Sequence, residues 1–162
     1  MTAPDVGIRQ ATAVDAVAVA GLIGALLGEI IEAIGAKVFD FDVEASALSL
    51  GKLIGSGRYT AFVAANADGK AVGVITLSES CALYAGGLFG TIPEFYVEPG
   101  WRSCGVGAAL ADAARAHAQS LGWSRLEVTT PPLPEFDRTL AFYERCGFAT
   151  TGGRKLKIDV QP

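Results

Sequence analysis

The chain has 162 residues, which suits one domain, and we expect a single domain over residues 1–162. It is 51% hydrophobic and 19% charged, with a mean hydropathy of +0.37; this excludes a disordered chain and supplies a real core. The formal charge of −4 and the pI of about 5.0 exclude a general electrostatic attraction to nucleic acid or to anionic lipid.

Three cysteines, Cys81, Cys104 and Cys146, are an odd number with no CxxC pair and no Cys/His cluster at zinc spacing. No metal site is expected, and the thiols read as reduced in a cytoplasmic protein. The longest apolar run, Ala16 to Gly28, is bracketed by Asp15 and Glu29. It falls short of the roughly 20 residues that span a bilayer, so it reads as a buried amphipathic helix, with no membrane partner. The N-terminus carries Asp5 and lacks the basic start of a signal peptide.

In chain order, Val6 to Arg9 is a short strand. Thr12 starts a helix, with Asp15 three residues on as a variant capping box. Val14, Val17, Ala18, Leu22, Ala25, Leu26 and Ile30 recur at helical spacing to about residue 33. A loop follows, anchored by Phe39 and Phe41. Asp42 caps a second helix, which the glycines around 55–57 terminate. Tyr59 to Ala65 and Lys70 to Ser78 are strands joined by a turn in which Asp68-Gly69 supplies positive φ. Leu88 to Glu98 is the next strand. Pro93 inside it cannot donate to a ladder, so it marks an edge, a bulge or a place where strands part.

A compact loop after Pro99 leads into a helix from about Val106 to Leu121, closed by Gly122. Arg125 to Thr130 is a strand, residues 131–136 are proline-rich, and Asp137 to Arg145 is a short helix closed by Gly147. Phe148 to Val160 supplies the last strand or two. The fold class is therefore α/β: a mixed sheet with helices on both faces, in the order β-α-α-β-β-β-α-β-α-β.

The segment from Val97 to Leu110 carries the chemistry. A strand ends, a glycine-bearing loop turns and a helix begins. The first N–H groups of a helix have no internal partner, and the macrodipole adds positive charge there. Glycines let a ligand approach the backbone. Together these suit a phosphate or pyrophosphate. A dinucleotide-binding loop fits worse, because Leu110 occupies the third glycine position and antiparallel strands lie upstream.

The ordered pattern V-x-P-x-x-R-x-x-G-x-G-x-x-L resembles the acetyl-CoA signature of the GNAT superfamily of N-acetyltransferases, with Arg102, Gly105 and Gly107 as its core. Residues 139–148 resemble the family's late FYxxxGF segment. The resemblance implies a GNAT-like, mostly antiparallel sheet and an acetyl-CoA-dependent transfer to a primary amine of a small molecule or peptide. It implies coenzyme contacts from Phe95, Tyr96, Val97, Arg102, Ser103, Cys104, Gly105, Val106, Gly107 and Ala108. The amine attacks the thioester directly, a tetrahedral oxyanion forms, and the thiolate leaves. A backbone N–H on residues 94–97, near a bulge at Pro93, would hold the oxyanion.

Tyr143 is the implied acid for the leaving thiolate; a phenol near pKa ~10 against a thiol near ~8.5 is workable but uphill. Its other reading is a core aromatic beside Phe142 and Phe148. Glu94 is the candidate base, with Glu98 and Glu79 as weaker ones. Period two places Glu94 and Tyr96 on one face of the strand, with Phe95 and Val97 on the other, unless a bulge swaps them. Cys104, inside the phosphate loop, is not placed as a nucleophile, because that loop faces phosphates and not the thioester. His117 reads as a boundary imidazole, and Arg138 and Arg145 as solvated helix charges.

The pattern also departs from the family. Phe136 stands where the family often has Asn, and Thr139 where it often has Ala. That departure keeps a second reading alongside the first: a catalytically inactive coenzyme-A-binding sensor or interaction module. A longer acyl group is a third. Glu29, Glu32, Asp40, Asp42, Glu44 and Glu79 fall where the family shapes its acceptor, and their acidity points to a cationic one. Homodimers are common in the family, and nothing in this sequence specifies one.

Overall fold

The structure is a computed structural model that describes residues 5–160. Residues 1–4 and 161–162, counted within the single expected domain, lie outside the described residues.

Six strands form one sheet: β1 (Gly7–Gln10), β2 (Tyr59–Ala65), β3 (Ala71–Ala82), β4 (Gly87–Ile92), β5 (Phe95–Val97) and β6 (Leu126–Val128). Their order is β1-β2-β3-β4-β6, with β5 on β3; β4 and β6 run parallel and every other pair is antiparallel. Four helices cover it: α1 (Ala16–Ile34), α2 (Val43–Gly55), α3 (Val106–Ser120) and α4 (Asp137–Arg145).

The core has two halves, one on each face of the sheet. Val19, Leu22 and Ile23 of α1 and Leu50 of α2 pack on Ala61, Val63, Val74 and Tyr96. Val106, Leu110 and Ala114 of α3 pack on Val72, Ile75, Leu77 and Ile92. The stretch Ala13–Ile34 has the length and mean hydropathy (2.0) of a membrane-crossing helix. The helix continues for six residues beyond the Ala16–Gly28 run, with Glu29 half-buried and Glu32 exposed. Its inner side is committed to the sheet, with Val19 and Ala20 almost fully buried.

The capping signals act as expected. Asp15 accepts from the Thr12 N–H at 2.8 Å, and Asp42 accepts from the Ala45 N–H at 3.0 Å. In the β2–β3 turn, Asn66 Oδ1 accepts from Asp68 and Lys70 N–H groups, and Gly69 alone takes positive φ (+81°). The expectation that Asp68 shares that conformation is not met, because its neighbour's side chain does the turning.

Two further expectations are corrected. Leu88 to Glu98 is two strands, not one. Three steps along β3, from Ser78 to Ile75, match four along the facing chain, from Thr91 to Phe95. The extra residue falls at Pro93-Glu94 and is a β-bulge. The second correction concerns residues 149–160, which form no strand and are exposed throughout. Leu156, Ile158 and Val160 alternate as a strand would, but they are 90%, 87% and 87% exposed. The alternation was legible; a neighbour to pair with was not, and β6 pairs with β4 alone among the described residues.

Candidate active site

The bulge builds the site. Thr76 N–H donates to Glu94 O, and Glu98 N–H donates to Val72 O, each at 2.9 Å. These bonds bracket the Val74/Tyr96 pair, so the antiparallel alternation makes that pair a hydrogen-bonded one. The backbone of Tyr96 is therefore committed to β3 and does not face a ligand. Phe95 and Val97 point their backbone groups the other way. On that side β6 has paired with β4 only as far as Ile92↔Val128, so a gap opens in the sheet beside β5. Arg102 Nε takes the Val97 carbonyl at 2.8 Å. The N–H groups of Phe95 and Val97 border the gap.

The loop after β5 starts with a 3-10 turn at Pro99–Trp101. Ser103 (φ +60°) and Gly105 (φ +90°) then take left-handed backbone, which turns successive N–H groups toward one side. The first helical bond of α3 is Ala109 N–H to Gly105 O at 3.0 Å, so the N–H groups of Val106, Gly107 and Ala108 have no partner within the helix. A Cβ at Gly105 would meet nothing within 4 Å, so its opening is available for a phosphate. This arrangement fits a pyrophosphate on Ser103 to Ala108. Val106 itself is buried in the core, and Ala108 is exposed.

Gly107 has a different reason to be glycine. A Cβ there would lie 3.0 Å from the Phe142 ring of α4. Cys104 turns its thiol back onto the Trp101 carbonyl at 2.8 Å, away from the loop's open side. The Arg102 guanidinium faces α1, where it meets Glu29 and lies 5.3 Å from the centre of the Tyr96 ring. The Tyr96 hydroxyl also donates to Glu29 at 3.0 Å; burial, then that carboxylate, push its pKa up to about 12.

Glu94 and Tyr143 are brought to opposite faces of β5. Glu94 points toward α1 and α2, into a cavity of about 160 Å³. Its carboxylate accepts from the Thr76 hydroxyl and, at 3.3 Å, from the Tyr59 hydroxyl. Burial raises its pKa above the usual carboxylate range, and the two hydroxyls partly oppose that. Tyr143 lies on the α3 side, its ring 6.0 Å from Phe95 and 5.4 Å from Phe148. Burial raises its pKa, with Cys146 adding to it, and no side-chain hydrogen bond contributes. A ligand that touches both must pass through the gap beside β5.

The remaining carboxylates are dispersed. Glu98 lies 3.7 Å from Lys70, and Glu79 accepts from the Trp123 indole N–H at 2.8 Å. Arg138 and Arg145 are exposed on α4. Among the described residues no group of three or more His, Cys, Asp or Glu could hold a metal ion. Sequence reasoning missed Tyr59 and Thr76, which lie 35 and 18 residues from Glu94 and carry no motif. It also missed Phe142 over Gly107.

No curated protein sequence matches the chain. Among solved structures, the chain resembles an integron cassette protein from the mobile metagenome of Cole Harbour Salt Marsh at 25% identity and a TM-score of 0.77, covering 96% of this chain and 91% of that one. A ribosomal-protein-alanine N-acetyltransferase from Brucella melitensis biovar Abortus 2308 is 24% identical, with a TM-score of 0.69 over 96% and 99% of the two chains. An aminoglycoside acetyltransferase from an uncultured soil metagenomic sample, in complex with sisomicin, is 19% identical, with a TM-score of 0.75 over 96% and 97%. The model of the acetyltransferase (GNAT) domain matches residues 57–150, more than half of the sequence. The chain belongs to the GNAT acetyltransferase family.

Proposed function

We propose that this enzyme transfers the acetyl group of acetyl-CoA to a primary amine by direct attack. The observation that carries the reading is the bulge at Pro93. It turns the Phe95 and Val97 N–H groups toward a gap in the sheet, beside the phosphate-fitting loop and between Glu94 and Tyr143.

Acetyl-CoA supplies the activated acyl group. The N–H groups of Ser103 to Ala108 hold its pyrophosphate, and Val97 holds the pantetheine arm. The Phe95 N–H is the oxyanion donor; a fixed donor needs no reorganisation as charge develops. Glu94 takes the proton from the amine, which enters from the α1/α2 side. Its raised pKa makes it a stronger base than an exposed carboxylate. Tyr143 donates to the departing thiolate. Burial keeps the phenol protonated at every working pH. Exposed free Cys81 supports a reducing, cytoplasmic setting.

The test is thiol release from acetyl-CoA across a panel of amines, with Glu94→Gln beside the native chain. Amine-dependent release that falls at least 100-fold in Glu94→Gln is the expected result. Binding of acetyl-CoA with no release for any amine would instead leave a coenzyme-binding module, the reading that Phe136 at the family's Asn position favours.

A further inference from the structure

Of the six acidic residues expected to attract a cationic acceptor, four are engaged within the chain, Asp40 by Lys37 at 3.8 Å. Glu29 is held by Arg102 and Tyr96, Asp42 caps α2, and Glu79 holds Trp123. Glu94 is the one carboxylate that lines the cavity between α1 and α2 beside β5. The cavity walls are Ala20, Ile23, Leu50 and Leu53, with Ser49 among its lining. Its volume of about 160 Å³ is half the lower end of drug-sized pockets. At roughly 30 Å³ per water-sized group, it takes about five such groups in a row.

A larger hollow of about 400 Å³ lies on the other side of Phe41, which lines both. Its walls include Leu27, Ile31 and Phe39. Phe41 is held there by a close approach to α1: a Cβ on Gly24 would lie 3.3 Å from its ring. The route away from Glu94 is thus narrow and mainly apolar first, and the wider hollow beyond Phe41 carries Lys37 and Asp40 in its lining.

We propose that the acceptor is a monoamine on a slender alkyl or arylalkyl stem, with its amino group at Glu94 and its stem between α1 and α2. The proposal rests on the transfer reading above. One buried carboxylate matches one amino group, and apolar walls stabilise the stem in proportion to the area they cover. Beside Glu94 a second ammonium, or a sugar ring, would lie against mainly apolar walls with no second carboxylate to meet it. The neutral amine is the form that attacks, and apolar walls favour it over the ammonium form.

The experiment is steady-state transfer by the full chain with butylamine, 2-phenylethylamine, an aminoglycoside and a lysine-bearing peptide. The two monoamines should exceed the others in kcat/KM by at least 100-fold. Ser49→Trp, at the exposed rim of the cavity, should raise the KM for 2-phenylethylamine at least tenfold and leave the KM for acetyl-CoA unchanged. Leu50→Phe, which fills the interior, should act in the same direction. Preference for the aminoglycoside or the peptide would overturn the proposal and leave the transfer reading intact. So would an unchanged amine KM in Ser49→Trp. No transfer to any amine, with acetyl-CoA bound, would overturn both.

Discussion

Arg102 reaches back across the end of β5 to Glu29 of α1, and its Nη2 lies 2.9 and 3.0 Å from the two carboxylate oxygens. The same side chain holds the Val97 carbonyl through Nε. Arg102 thus ties the loop after β5 to the first helix. Arg102→Ala should raise the KM for acetyl-CoA about tenfold with little change in kcat. Lys at this position should not restore it, because an ammonium cannot make forked contacts in two directions. Glu29→Ala should act in the same direction but less, since both side chains are partly exposed and the pair is screened. A double-mutant cycle that finds no coupling between the two would refute the link.

The pH profile of kcat/KM should rise through the raised pKa of Glu94. A base works deprotonated, so activity is lost as pH falls through that pKa. The Thr76 and Tyr59 hydroxyls lower it by bonding to the charged form. Removing either bond, with Thr76→Val or Tyr59→Phe, should therefore move the acidic limb to higher pH. Glu94→Gln should remove the limb. A limb that stays in place in all three variants would assign it to another group.

The two glycines of the signature should fail for different reasons. Gly105 has φ +90°, where a Cβ costs roughly 1–2 kcal/mol. Gly105→Ala should lower stability by about that much and weaken acetyl-CoA binding, because the new methyl projects into the open side of the loop. Gly107→Ala instead drives a methyl toward the Phe142 ring. Adding Phe142→Leu should recover much of its stability loss, and should recover none for Gly105→Ala. Urea unfolding of the four variants decides it.

Stability should depend on pH through His117. Its ring packs edge-on against Phe62 and Trp123, with centroids 5.5 and 5.9 Å away, and its buried Nε2 has no partner among the described residues. Burial lowers its pKa below the ordinary 6.5. Above pH 6.5 neither the folded nor the unfolded state holds the proton, and the group adds no slope. As pH falls through 6.5 the unfolded chain takes the proton first, so folding stability declines from there until the folded pKa is reached. His117→Phe should flatten the part of the curve just below pH 6.5. An equal slope in both proteins would show that other groups set it.

What was legible in the sequence was local. Capping at Asp15 and Asp42, the Pro93 interruption, and the alternation of Glu94 to Val97 each follow from residues a few positions apart. The direction of a carboxylate's neighbours does not. Tyr59 and Thr76 reach Glu94 only because β2, β3 and β5 are adjacent in the sheet. Gly90 is plain in the sequence, yet its necessity comes from Trp123, whose ring would lie 2.4 Å from a Cβ there. Gly107 matched the coenzyme signature, while its neighbour in space is Phe142. A motif names the residue type that a site tolerates and leaves open which of two neighbours requires it.

The C-terminal segment tests the difference between pattern and packing. Residues 155–160 alternate polar and apolar side chains, which reads as a strand, yet all of them are exposed. Burial is what makes alternation stabilising, and Leu156, Ile158 and Val160 bury almost nothing. A chain ending at Gly153 should therefore melt within about 2 °C of the full chain, in line with surface changes of about 0.5 kcal/mol or less. It should also be more soluble, since three large apolar side chains leave the surface. A loss of 5 °C or more in Tm would mean that the segment packs against the body in solution. The open edge of β6, which has a strand on one side only, is where it would then be found.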